Sequence, residues 1–174
     1  IGAAPIQNIG AYGAELKDVF VSLTAIHTKT LQKHQFNGTQ CAFGYRDSIF
    51  KHAEHRHYFI VSVTLRLQKK PAFNTDYGDI QQVLKEDFND QRSLQHISDA
   101  VIKIRRSKLP DPEVTGNAGS FFKNPVVAEA HARQLRQLFS EMPSYPVDNG
   151  VKIPAAWLIE QCGWKGYQAG NFGV

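Results

Sequence analysis

Residues 58–67, YFIVSVTLRL, set Phe59, Val61, Val63, Leu65 and Leu67 at every second position, with Ile60, Ser62, Thr64 and Arg66 between them. Side chains of an extended chain point alternately to opposite faces, so the pattern predicts a strand whose wholly apolar set turns toward a core. Upstream, DVFVSLTAI (18–26) is β-branched and apolar enough for another strand, and KTLQKHQF (29–36) predicts its returning hairpin partner. PIQNIGAYG (5–13) carries a proline, an asparagine and two glycines, which predicts a turn-rich loop with at most a short helix.

From residue 93 the period changes. Leu94, Ile97, Val101 and Ile104 recur at spacings of three and four, the mark of one helical face, with Ser93 as the N-cap. Pro110 and Pro112 stop that helix. A second helix is predicted from about 128 to 139 with Leu135 and Leu138 inward. A third covers 155–162, opened by Pro154 and closed by Gly163. Strands followed by helices in this order give an α+β fold. The proline-bearing stretch LPDPEVTG (109–116) marks the internal boundary, so that the expected parts are 1–108 and 109–174.

The chain has 174 residues, of which 42% are hydrophobic, enough to bury a core rather than remain disordered. No apolar run approaches the roughly 20 residues that span a bilayer, and IGAAPIQNIG lacks the basic-then-apolar order of a signal peptide, so the chain reads as soluble, with no membrane partner. Cys41 and Cys162 are too few for a disulfide framework; both sit in helix-like apolar stretches and read as reduced, cytoplasmic thiols. A formal charge of +4 leans toward anionic ligands. The basic residues are dispersed, and the tightest cluster, IRRSK (104–108), lacks the dense stripe and stacking aromatics of a nucleic-acid binder. The chain starts without methionine and stops at AGNFGV, which reads as a piece of a longer protein.

Two constellations carry candidate chemistry. In FGYRDSIFK (43–51), Arg46 and Asp47 read either as solvated charges at a helix end or as an Arg46 held beside Tyr45 and Phe50, its fork free to grip a carboxylate. In GNAGSFFKNP (116–125), a Gly-rich turn precedes two phenylalanines that read as core. Alternatively, Gly119 lets the backbone approach a ligand, Ser120 presents a hydroxyl, and Lys123 and Asn124 offer contacts to phosphate or sugar oxygens. His52, His55 and His57 resemble a metal cluster in spacing only, since Glu54 alone could join them; they read as a solvated strand entry, and no metal is expected.

APIQNIGAYGAEL (4–16), FGYRDSIFK (43–51), KLPDP (108–112), GNAGSFFKNPVV (116–127) and PAAWLIEQC (154–162) stand in the order they take in the UDP-N-acetylenolpyruvoylglucosamine reductases (MurB), flavoenzymes also called UDP-N-acetylmuramate dehydrogenases, and the chain resembles that family over nearly its whole length. The resemblance implies an α+β fold in which 1–108 is part of the second subdomain of a two-part FAD-binding unit and 109–174 part of a MurB-type substrate-binding domain. It also implies that a first flavin subdomain and a C-terminal acidic segment are absent from this chain. NTDYGDI (74–80) resembles the substrate-covering loop of the family's longer type.

The implied activity is FAD-dependent reduction of UDP-N-acetylglucosamine enolpyruvate by NADPH to UDP-N-acetylmuramate, in cytoplasmic peptidoglycan synthesis, by an enzyme monomeric at full length. On this resemblance Ser120 matches the proton donor and Arg46 the group that holds the substrate carboxylate. Tyr77 matches the loop tyrosine, Lys108 and Asn124 contacts to the diphosphate region, and Tyr145 a residue near the uridine. Gly2, Gln7, Asn8 and Gly10 fall in the flavin-contacting loop and Arg105 near the flavin phosphates. Where the family often has two serines, this chain has Ala3 and Ala4, so a side-chain hydroxyl contact to FAD is either lost or replaced by backbone N–H groups. The alternatives from other classes are a flavin-independent nucleotide-sugar-binding domain and a basic nucleic-acid-binding module.

Overall fold

The computed structural model describes residues 2–76 and 79–174. It divides into two compact units, Ile1–Asn117 and Ala118–Val174. In the first, α1 (Ala3–Ile6) leads into the hairpin β1 (Gly10–Ala11) and β2 (Ala14–Glu15). Tyr12 and Gly13 at its tip both have positive φ, the backbone that a two-residue hairpin turn of matching twist requires. The expected loop at 5–13 thus contains the short helix together with half of a hairpin.

β3 (Phe20–His27) is the centre of a three-stranded antiparallel sheet ordered β4-β3-β5, with β4 (Lys33–Asn37) and β5 (Tyr58–Leu65) at its edges. Leu23, Ala25 and Ile60 are buried on one face, under α2 (Gly38–Cys41) and Phe50 from the short 3-10 turn Ile49–Lys51. The face expected to be core on β5 is the wrong one. Ile60 is buried, whereas Phe59, Val61, Leu65 and Leu67 are exposed. A bulge brings Ile60 onto the same face as Val63: Thr24 pairs with Ser62 but Ala25 pairs with Ile60, so Val61 is extra and the alternation reverses there. Only Val63 of the predicted set packs against the core.

The expected solvated strand entry holds at His52, which is exposed, while His55 and His57 are half-buried. His55 stacks on Tyr58 with centroids 6.0 Å apart, and His57 lies edge-on to His27 at 5.9 Å. Two further helices, α3 (Ile80–Phe88) and α4 (Leu94–Lys108), form a second core from Ile80, Val83, Leu84, Ala100 and Ile104, against which Tyr12 packs. Ser93 caps α4 as expected, its Oγ accepting from the His96 amide at 3.0 Å.

In the second unit, β6 (Val126–Val127), β8 (Gly150–Lys152) and β7 (Tyr145–Val147) make an antiparallel sheet in that order. It is followed by α6 (Ala155–Gln161) and a closing hairpin of β9 (Gln168–Ala169) and β10 (Phe172–Gly173). A side chain at Gly150 would place its first carbon 2.3 Å from the Val127 carbonyl oxygen, so only glycine lets β8 reach β6. In α5 (Glu129–Leu138) the buried residue is Ala132; Leu135 is half-buried and Leu138 is 75% exposed, not inward. Cys41 is buried, but Cys162 is exposed rather than set in an apolar environment.

Candidate functional site

In the first unit, the loop 5–15 and the turn 43–48 are joined side by side. Gly44 and Asp47 exchange backbone hydrogen bonds, N to O at 3.0 and 3.3 Å, closing a turn in which Arg46 takes a φ of +53°. A residue with a Cβ is held there at a cost of about 1–2 kcal/mol. Three features hold it: Arg46 Nη2 donates to the Gly10 carbonyl, its guanidinium lies 5.8 Å from the Tyr45 ring centroid, and Lys51 Nζ donates to the Arg46 carbonyl at 2.6 Å. Arg46 is therefore neither a solvated charge nor at a helix end. A side-chain carbon added to Gly10 would sit 2.7 Å from the Ala14 carbonyl oxygen and 3.1 Å from Arg46 Nη1, so this glycine is required by the hairpin and the guanidinium.

Asn8 is fully buried beneath the same junction. Its Nδ2 donates to Glu15 Oε2 at 3.1 Å and to the Gly44 carbonyl at 2.9 Å, while Oδ1 accepts from the Lys17 amide at 3.0 Å. Ser48, also buried, donates from Oγ to the Ile6 carbonyl at 2.7 Å and accepts from the Phe50 amide. Sequence reasoning missed Glu15 and Ser48. Their signals were the Glu15-to-Asp18 spacing of a capping box and a serine just before an apolar pair.

Of the other residues expected near a flavin, Gly2 is the N-cap of α1 and Gln7 its half-buried C-cap. Arg105 is exposed on the last turn of α4. Lys108 ends that helix and donates to Asp79 at 2.6 Å; this hydrogen bond, reinforced by the carboxylate's charge, raises the lysine pKa. Tyr77 lies outside the described residues.

In the second unit Ser120 is exposed in the segment between Gly119, whose φ is +66°, and the adjacent Phe121 and Phe122. Those two rings are not core: they meet edge-to-face at 5.3 Å and are both exposed. Downstream the segment is pinned, because Asn124 Oδ1 accepts from the Ala155 amide at 2.9 Å and the Pro125 carbonyl accepts from the Ile153 amide at 2.9 Å. Asn124 thus caps α6 from a distant part of the chain. Tyr145 pairs with Lys152 across β7 and β8, with the ammonium 6.0 Å from its ring centroid. Gly10, Gln7, Asn8 and Arg46 are brought together in one unit, and Ser120, Asn124 and Tyr145 lie in the other.

The mixed helices and antiparallel sheets place the chain in the α+β class. Its fold is similar to the crystal structure of UDP-N-acetylenolpyruvylglucosamine reductase (MurB) from Thermus caldophilus, with a TM-score of 0.56 and 19% identity, over 99% of this chain and 45% of that one. Residues 111–174 match the family described as UDP-N-acetylenolpyruvoylglucosamine reductase, C-terminal domain. Over all of this chain, the reductase of that name from Amoebophilus asiaticus is 54% identical and that from Pseudomonas aeruginosa 48%, with 52% and 51% of the relatives covered. Residues 111–174 thus match the family's C-terminal domain, and the chain as a whole is similar to UDP-N-acetylenolpyruvoylglucosamine reductases, spanning about half the length of the curated relatives it matches.

Proposed function

We propose that the chain is the part of a UDP-N-acetylmuramate-forming reductase that grips the enolpyruvyl carboxylate with Arg46 and delivers a proton from Ser120. The observation that carries this reading is Arg46 itself, an arginine fixed in a costly backbone conformation by Tyr45, Lys51 and Gly10 within a family of enolpyruvoyl reductases. Such strain is kept where a side chain must be pre-aimed.

The loop residues fit a flavin through the main chain at Gly2 and Gly10 and through the half-buried Gln7 amide, with Arg105 available to the phosphates. Asn8 is not among these contacts, since both its donors are used internally. When bound, FAD reduced by NADPH supplies the hydride that adds to the terminal carbon of the enolpyruvyl ether. Arg46 holds the adjacent carboxylate, and its fixed charge stabilises the enolate-like substrate without reorganising. Ser120 Oγ gives its proton to the carbon that bears the ether oxygen, completing the lactyl group, and is reprotonated from solvent. Lys108, Asn124, Tyr145 and Tyr77 contact the diphosphate, sugar and uridine portions, and the whole enzyme works as a monomer in the cytoplasm.

In the full-length reductase, Ser120→Ala should leave flavin reduction by NADPH near the wild-type rate and slow reoxidation by substrate by roughly 10²–10⁴-fold. Ser120→Cys should retain more activity than Ala. Stopped-flow absorbance at the flavin band separates the two half-reactions, and unchanged rates in both would overturn the assignment.

A further inference from the structure

Loop 5–15 and turn 43–48 are distant in sequence, yet three hydrogen bonds cross between them: Asn8 to Gly44, Arg46 to Gly10 and Ser48 to Ile6. Asn8 also ties the two limbs of its own loop, through Glu15 and Lys17, beside the β1–β2 pairing and the bond from the Leu16 amide to the Ile9 carbonyl. Its side chain has two amide hydrogens and a carbonyl, and all are occupied by protein groups. At 0% exposure it has no surface to offer a ligand, and its φ of +43° is one that asparagine tolerates better than most residues.

We propose that Asn8 is a positioning residue that couples the loop at 5–15 to the turn bearing Arg46, and so sets the direction of the guanidinium without touching cofactor or substrate. Glu15 completes the couple as its acceptor. The consequence for turnover rests on the function proposed above, whereas the coupling between loop and turn stands apart from it.

The experiment uses Asn8→Asp, which keeps shape and backbone preference but turns two donors into acceptors facing Glu15 and the Gly44 carbonyl. Asn8→Gly serves the same purpose where the aspartate does not fold. Hydrogen exchange of the protein carrying either variant, without cofactor, should quicken in peptides across both 5–17 and 43–51. Adding Glu15→Gln to Asn8→Asp restores a donor–acceptor pair and should return part of the protection. Quickening confined to 5–17 would overturn the coupling. In the full-length enzyme Asn8→Asp should raise KM for the enolpyruvyl substrate and lower kcat/KM by on the order of 10²-fold, as a misplaced binding group does. A loss of flavin affinity with substrate KM unchanged and no rescue by Glu15→Gln would instead make Asn8 a cofactor contact and defeat the proposal. If wild-type enzyme lacks reductase activity, the proposed function fails while the exchange result still decides the role of Asn8.

Discussion

Cys41 closes α2 beneath Leu23, Ala25 and Ile60, and burial pushes its thiol up to about 11 from an ordinary 9.0. The unfolded chain ionises this group near 9 while the folded chain keeps it neutral. The stability it contributes is therefore complete below pH 9 and is lost as pH rises from 9 through about 11, by at most about 2–3 kcal/mol. Urea midpoints of wild type and Cys41→Ala should run parallel below pH 9 and converge above it. Because Cys162 is exposed and Cys41 is not, a thiol reagent should label one cysteine in the native chain and the second only after unfolding. Neither the turn at Arg46 nor the occupancy of Asn8 could be read from residue types. The same asparagine can cap, bind or cross-link, and only the three-dimensional neighbours decide.

At the scale of elements, α6 begins with Ala155, whose amide would be unsatisfied but for Asn124. Asn124→Ala should cost about 1 kcal/mol of stability, and Asn124→Asp, which keeps the acceptor, should cost much less; denaturant unfolding measures both. An Asp variant as damaging as Ala would show that the cap contributes little. Several elements were legible because their signals are local: the Ser93 cap, the β-branched run of β3, and the Pro154 and Gly163 that bracket α6. The buried face of β5 was not legible, since one extra residue at Val61 sets Ile60 and Val63 on the same face and leaves no mark in composition. Leu138 was misread because α5 packs through the small Ala132, so the helical stripe turns away from the larger leucine. Tyr12 and Gly13 hid a hairpin tip, because a tyrosine at positive φ is not a usual turn signal.

For the molecule as a whole, each unit is built around its own sheet, and β5 is an edge of the larger one. Its sequence, YFIVSVTL, has no lysine or proline to blunt that edge, and Phe59 is 64% exposed beside Val61 and Leu65. Unpaired strand backbone flanked by exposed apolar side chains is a template for pairing with another chain. The 174-residue chain should self-associate with rising concentration, and Val61→Lys should suppress this without lowering stability by more than about 1 kcal/mol. Sedimentation velocity of the two proteins provides the comparison; equal association would mean that the edge is not responsible.

The order of strands also dictates an order of assembly. β3 and β4 adjoin in sequence and can zip as a hairpin through pairs such as Leu23 with Phe36, a local event on the microsecond scale. β5 must join the opposite side of β3, where Phe20 meets Leu65, and it can do so only after the intervening chain has looped back. Synthesis from the N-terminus therefore exposes β3 as a half-finished sheet until β5 has been made, and the closing of that gap, rather than the hairpin, should govern how fast this unit reaches its native state.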